Sequence, residues 1–377
     1  MLFFTGQVNA AGERIELALE IAESLWLPEG LAQALITKSF VLDAKGRRAE
    51  SLGLLKYALE IALESDIPSV AVRAYGNLGY QMQTRDRCEE ALGYIKSALA
   101  LARRLGDRPR EWFSATNSIF PLFVVGGWDE AVAQALEIPD PAALEKNALA
   151  SLMLLSLIHV NRGDLDAARH ILALGDSVES TAVPEYRALH ACGRAIVQRA
   201  EGSDAQAVSS GREAMEVRST EGLGHESVKQ SFVEAVEAAF GLDDRAEVEE
   251  LLAVVEDSRP VEVPQYLHAH VARFRARLAA LAGKGDEVER GFKSAAGMFR
   301  EIGVPFYLAV TLLEHAEWLI EQARTGEADP MMHEARETFD RLGAKPWLER
   351  LDRSAGHSSS VITRTDAQSA VATARRL

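Results

Sequence analysis

Ala18-Leu-Glu-Ile-Ala22, Ala58-Leu-Glu-Ile-Ala62 and Ala98-Leu-Ala-Leu-Ala102 stand 40 residues apart. This spacing decides the fold. Seven residues upstream of each lies a small residue, Ala11, Ser51 or Ala91, and five residues before that come Gly6, Gly46 and Asp86. Glycine suits a helix-ending corner because it reaches positive φ without a Cβ clash. The small residue recurs at Ala131, Ala168, Ala207, Ala246, Val288 and Ala328, at successive intervals of 40, 40, 40, 37, 39, 39, 42 and 40. Gly126, Gly163, Gly202, Gly241 and Gly283 keep the five-residue offset. Nine registers in step are not a product of chance.

Prolines punctuate the same period independently. Pro28, Pro68, Pro109, Pro184, Pro264, Pro305 and Pro346 fall where one unit ends and the next helix begins, and proline is tolerated in a helix's first turn. Between these marks apolar residues recur at three- and four-residue spacing, as in Ile15-Leu19-Ala22 and Leu55-Leu59-Ala62, which is the helical period. No segment alternates with a period of two. Each unit therefore reads as helix A, a turn at the glycine, helix B and a proline-marked linker.

This arrangement resembles the tetratricopeptide repeat, whose helix-A Leu-Gly pair and following large and small positions are matched by Leu78, Gly79, Met82, Ala91, Ile95 and Ala98. The period exceeds the usual ~34 residues, implying longer helices, and the helix-A pattern weakens after about residue 190. HEAT or armadillo units are nearer in length but do not call for the Gly-to-Ala offset. The expected fold is all-α, a right-handed, tetratricopeptide-like superhelical solenoid of about eight to nine helix-turn-helix repeats over residues 1–352, with a flexible tail at 353–377. Gly6 and Ala11 leave only Met1 to about Thr5 for the first helix A, so the first repeat is incomplete. An imperfect N-terminus would account for this; the reading favoured is that the chain is the C-terminal piece of a longer polypeptide. At the other end, Trp347-Leu348 and Leu351 form a short capping helix.

Composition narrows the function. The 377 residues carry 41 Lys+Arg against 56 Asp+Glu, a net charge of −15, which argues against nonspecific nucleic-acid binding. Two distant cysteines, Cys88 and Cys192, offer neither a disulfide framework nor a zinc knuckle. The longest apolar run, Ala148 to Val160, is broken by Ser151 and Ser156 and is too short to span a membrane. With no signal-peptide pattern, a cytoplasmic location is expected. No phosphate loop or dinucleotide fingerprint occurs. His268 and His270 point about 200° apart on a helix and cannot share a metal; solvent-facing or groove-lining positions are expected for them. His159 falls at a core position. Asp129-Glu130 and Glu89-Glu90 open helices, where carboxylates favour the N-terminus. No catalytic residue, metal site or cofactor is indicated, and the chain reads as a non-enzyme.

Helix-A faces of a solenoid line its concave surface. The register puts Phe40, Tyr80, Phe113, Phe120, Phe123, Met153 and Leu157 toward it, followed by Arg73, Arg199, Arg273 and Arg277, with Glu317 at the far end. An apolar stretch flanked by arginines suits an acidic, amphipathic peptide or helix; the same aromatics could instead pack between helices A. Pro121 lies inside a helix A and should kink it beside Phe120 and Phe123. A small molecule held near Phe120, Phe123 and Met153 is the second expectation.

Longer strings carry a more specific likeness. They are Ala34-Leu35, Gly46-Arg47 and Ala58–Ala62; Arg85-Asp86-Arg87 with Glu89-Glu90-Ala91-Leu92; Ala102 to Arg108; Gly127-Trp128-Asp129-Glu130-Ala131; and Leu308 to His315 followed by Ala335 to Trp347. These resemble the C-terminal tetratricopeptide region of large bacterial signalling ATPases, especially those with an N-terminal adenylate/guanylate cyclase domain. Related regions occur in ATPase transcription regulators of the maltose-regulator and LuxR type. The resemblance implies an upstream ATPase/cyclase module, for which the chain would serve as a sensor or scaffold binding a protein or peptide; a homo-oligomer is also expected as one way to cover the incomplete first repeat. The transcription regulators end in a helix-turn-helix domain, for which the roughly 25 residues after the capping helix are too few and too polar.

Overall fold

The computed structural model describes residues 8–356. In chain order its α-helices are α1 (Val8–Ser24), α2 (Pro28–Ala44), α3 (Arg48–Glu64), α4 (Pro68–Gln83), α5 (Cys88–Leu105), α6 (Arg108–Asn117), α7 (Ile119–Val125), α8 (Trp128–Leu136), α9 (Lys146–Leu152), α10 (Leu155–Arg162), α11 (Leu165–Leu174), α12 (Asp176–Glu179), α13 (Pro184–Ala200), α14 (Asp204–Met215), α15 (Arg218–Glu221), α16 (Glu226–Gly241), α17 (Arg245–Glu256), α18 (Gln265–Leu281), α19 (Gly285–Glu301), α20 (Pro305–Glu321) and α21 (Thr325–Leu342). A last helix, α22, covers 345–356. The described residues contain no strand. The fold is an all-α helical-repeat solenoid. Eight A/B pairs run from α2/α3 to α20/α21, with α1 as a preceding helix B and α22 as a cap. The fragment assigned to the first helix A and the tail beyond 356 lie outside the described residues. Residues 353–356, expected in the tail, continue the capping helix, and Ser354 Oγ donates to Glu317 Oε1 at 2.9 Å.

The A-to-B corner of every complete repeat uses left-handed backbone. The A-to-B turn residues are Gly46, Asp86, Gly126, Gly163, Gly202, Asp243, Gly283 and Ala323, all with φ between 54° and 82°. Five residues after each comes a buried small or β-branched residue: Ser51, Ala91, Ala131, Ala168, Ala207, Val248, Val288 and Ala328. This corrects one unit. The corner there is Asp243 rather than Gly241, and the packed residue is Val248 rather than Ala246, which is exposed. Gly241 ends α16 without a positive φ, beside the Asp204 carboxylate. The Leu78, Gly79, Met82, Ala91, Ile95 and Ala98 positions are all buried, and a Cβ on Gly79 would stand 2.7 Å from Ile95 Cγ1. Pro121 acts as expected: the helix A containing it breaks at Ser118, between α6 and α7, because proline cannot donate to the carbonyl four residues back.

The solenoid does not stay open. It returns on itself four to five repeats later. Arg162 Nε donates to Leu342 O at 3.0 Å, Trp347 Nε1 to Asn161 Oδ1 at 2.9 Å, and the Tyr266 amide to Asp86 Oδ2 at 2.9 Å. Lys229, fully buried, donates to Gln83 O at 3.0 Å and Asp86 Oδ1 at 3.1 Å. Between these seams the interior is filled by rings: Phe123 stacks on Trp128 (5.6 Å between centroids) and meets Phe306 (5.8 Å), while Tyr266 meets Phe120, Phe299 and Tyr307. One apolar core therefore runs from Cys88 to Leu351, joined by a smaller one from Ile15 to Leu78.

Candidate functional site

Closure removes most of the expected groove. Phe120, Phe123, Met153 and Leu157 are at most 1% exposed and belong to the core. Phe120 and Phe123 pack across the superhelical turn on Tyr266, Phe306 and Tyr307, which sequence spacing alone does not reveal, while Met153 lies beside Gly175 and Gly193 of the neighbouring helices. The arginines are likewise occupied. Arg199 pairs with Glu234; Arg273 pairs with Glu314 (Nε–Oε2 2.7 Å, Nη2–Oε1 2.6 Å) and with Glu237; Arg277 donates to Glu237 at 2.6 Å; and Arg350 grips Glu317 at 2.9 and 2.5 Å. Burial would raise the Glu237 carboxyl, but Arg273, Arg277 and Arg199 outweigh it and hold it well below the ordinary carboxylate range. Arg199, Arg273 and Arg277 are thus neutralised within the chain. Arg73 caps Gln33 and Thr37 on α2.

His270 also departs from expectation. It is fully buried among Tyr266, Phe274, Phe299 and Tyr307, with neither ring nitrogen hydrogen-bonded. Burial, followed by Arg273 beside it, pushes its pKa well down. His268 is exposed. Cys88 and Cys192 are buried free thiols pushed up to about 12 by burial, which makes both poor nucleophiles at neutral pH. No group of His, Cys, Asp or Glu among the described residues could hold a metal ion, and no described helix is long and apolar enough to cross a membrane.

Phe40, Tyr80 and Phe113 are only partly buried. They line a cleft of about 750 Å³ between the helices A of the second to fourth repeats and the segment around α15. The 40-residue period builds its floor: Phe40 and Tyr80 are one period apart, as are Asn77 and Asn117. Asn117 Oδ1 accepts from Ser151 Oγ at 2.9 Å. The Asn77 amide nitrogen is buried and has no partner, and such a group costs about 1–3 kcal/mol until something pairs with it.

The facing wall was not foreseen. It carries Glu185, Tyr186, Glu221 and Glu226. Tyr80 Oη donates to Glu221 Oε2 at 3.5 Å, and Gln83 Nε2 donates to Glu226 Oε2 at 2.9 Å, so the two walls touch. Burial first, then the charge of Glu185, pushes the Glu221 carboxyl above its ordinary value. Behind the wall His225 is fully buried. Its Nδ1 accepts from the Ser227 amide at 3.2 Å, and its Nε2 faces Glu185 at 3.7 Å and Glu226 at 3.9 Å. Burial disfavours the imidazolium, but Glu226, Glu185 and Glu221 outweigh it and raise the pKa to about 9. Only the Gly222-x-Gly224 turn in this segment stood out in the sequence. Gly224 is needed because a Cβ would sit 2.4 Å from Thr84 O across the seam.

No protein-family model matches the chain, and no curated protein sequence does. Among solved structures, a tetratricopeptide repeat protein from Parabacteroides merdae ATCC 43184 is 17% identical, with a TM-score of 0.42 over 74% of this chain and 98% of that one. An IFIT1 monomeric mutant with Gppp-AAAA is 15% identical, with a TM-score of 0.45 over 91% and 83%. Naa15/Naa10 bound to HypK-THB gives 17% and 0.28 over 95% and 63%. The repeat assignment rests on this chain's own helix pairing and turn geometry.

Proposed function

We propose that the chain is a non-catalytic helical-repeat binding protein that takes a peptide segment into the cleft bounded by Phe40, Tyr80, Phe113 and the α15 segment. The observation that carries this reading is the buried, unpaired Asn77 amide on the cleft floor. A peptide carbonyl would pair with it once the Asn77 side chain turns toward the cleft, and the aromatic neighbours would cover alternate side chains. In this reading the chain is a cytoplasmic sensor or scaffold regulating an ATPase/cyclase module, as the resemblance of its longer strings implies. Ligand occupancy would reach that module through the seams at Gln83–Glu226 and Tyr80–Glu221, which tie the cleft to the superhelical closure.

The test is selection of a displayed random peptide library on the immobilised chain, followed by titration of the recovered peptides against Asn77→Leu. Selected peptides should lose at least about tenfold in affinity, one buried hydrogen bond's worth, while the variant stays folded by circular dichroism. Failure to enrich any peptide would sink the reading. The cleft volume also lies within the about 300–1,000 Å³ range of small-molecule sites, so thermal stabilisation by a metabolite with no peptide bound would favour the second reading.

A further inference from the structure

Along the closed part of the solenoid, the helix-A carboxylates have arginine partners: Glu234 has Arg199, Glu237 and Glu314 have Arg273, and Glu317 has Arg350. The cleft wall breaks this rule. Among the described residues no Lys or Arg nitrogen lies within 4.0 Å of Glu185 or Glu221. Glu221 has only the Tyr80 hydroxyl, at 3.5 Å. His225, which is 0% exposed, aims its otherwise unpartnered Nε2 at Glu185 and Glu226 from behind and reaches neither at hydrogen-bond distance. The ring whose Nδ1 accepts from the Ser227 amide thus stands behind two carboxylates, Glu185 and Glu226, with Glu221 beyond them, in a cleft walled by Tyr80 and Tyr186. Partly desolvated carboxylates without a cation are costly, and aromatic faces beside them add attraction for a positive charge.

We propose that the cleft takes its peptide by a positively charged group, an amino terminus or a Lys or Arg side chain, seated between Glu185 and Glu221. The proposal rests on the peptide-binding reading and adds what that reading leaves open, the charge of the ligand. Asn77 fits the same assignment: an ammonium or a basic residue's backbone brings a carbonyl beside the charge, and the unpaired amide supplies its donor. The basic residues that also line the cleft are Lys45, Arg48, Arg218 and Arg259; Arg259 pairs with Glu262, and Arg218, on α15 with Glu221, donates to Met215 O and reaches neither Glu185 nor Glu221 within 4.0 Å. This reverses the expectation of an acidic ligand.

The experiment uses the full 377-residue chain and two positional-scanning pentapeptide libraries, one with free amino termini and one N-acetylated. Binding is measured for wild type, for Glu185→Gln with Glu221→Gln, and for a charge-matched control, Glu60→Gln with Glu64→Gln on the outer helix α3. Bound peptides should carry positive charge, and the cleft double variant should weaken them at least about tenfold, a charge-assisted contact's worth, while the control does not. Because Gln is nearly isosteric and removes repulsion, the cleft variant should melt no lower than wild type. Loss of all binding on acetylation assigns the amino terminus; persistence with Lys or Arg at one position assigns the side chain. Peptides that bind through Asn77 without preference for positive charge, or equally to the Gln variant, overturn the proposal while leaving the peptide-binding reading intact. No binding from either library overturns both.

Discussion

Replacing Arg273 by Met removes the hub of the buried charge network. Arg273 is fully buried and makes two hydrogen bonds to Glu314, at 2.7 and 2.6 Å, and one to Glu237. Without it Glu237 keeps Arg277 at 2.6 Å, whereas Glu314, with a side chain only 5% exposed, keeps Arg277 at 3.6 Å and nothing nearer among its ion pairs. The cost is therefore that of orphaning one buried carboxylate, about 3–5 kcal/mol. Methionine fills much of the volume, so packing loss is a minor part. In urea unfolding at pH 7 followed by far-ultraviolet circular dichroism, the midpoint should fall by about 1 M or more, given slopes of a few kcal/mol per M. Adding Glu314→Met should recover at least half of the loss, because a matched apolar pair is often neutral relative to a buried ion pair. A single variant within about 1 kcal/mol of wild type would refute the reasoning, as would a double variant no better than the single one.

Three further outcomes follow from the closure. Gly126→Ala should cost more than Gly46→Ala: both positions have positive φ, about 1–2 kcal/mol for a non-glycine residue, but at Gly126 the new Cβ also meets Pro305 Cγ at 3.1 Å and Leu342 Cδ2 at 3.3 Å, while at Gly46 nothing lies within 4 Å; equal melting temperatures would count against the seam. Lys229→Met leaves buried Asp86 without its cation and should cost about 3 kcal/mol, with faster hydrogen exchange at the Tyr266 amide that Asp86 accepts from. His270→Phe should change the pH dependence of stability. Because burial lowers the folded pKa of His270, the unfolded chain takes up the proton first, so this group's contribution is whole above about pH 6.5 and is lost as pH falls below it. From pH 7.5 to 5.5 wild type should lose about 1 kcal/mol more than the variant in urea unfolding; an unchanged difference would refute the assignment.

Much of this was legible in the chain because each repeat is a local object. The corner residues, the small residue five positions later and the proline-marked linkers are all set by contacts within one helix pair. The one slip, Gly241 and Ala246 for Asp243 and Val248, arose where an aspartate takes the left-handed corner that glycine takes elsewhere. The site was half legible. Phe40, Tyr80 and Phe113 line the cleft. Phe120 and Phe123 share that kind of register, yet their repeat lies where the superhelix closes and their side chains meet rings four to five repeats away. Arg199, Arg273 and Arg277 looked unpaired because their glutamates lie 35 to 41 residues off.

The sequence by itself determined the repeat: its period, its helix pairs and which face of each helix is apolar, since these follow from backbone sterics and hydrophobic spacing over about forty residues. Only the tertiary structure decided how far the solenoid winds, and with it which helix-A faces become core and which stay open. Small rotations between neighbours accumulate over many repeats. Whether Asp86 meets Lys229 and Tyr266, and whether Glu185 and Glu221 come to face Tyr80, depends on that sum and on no single stretch of chain.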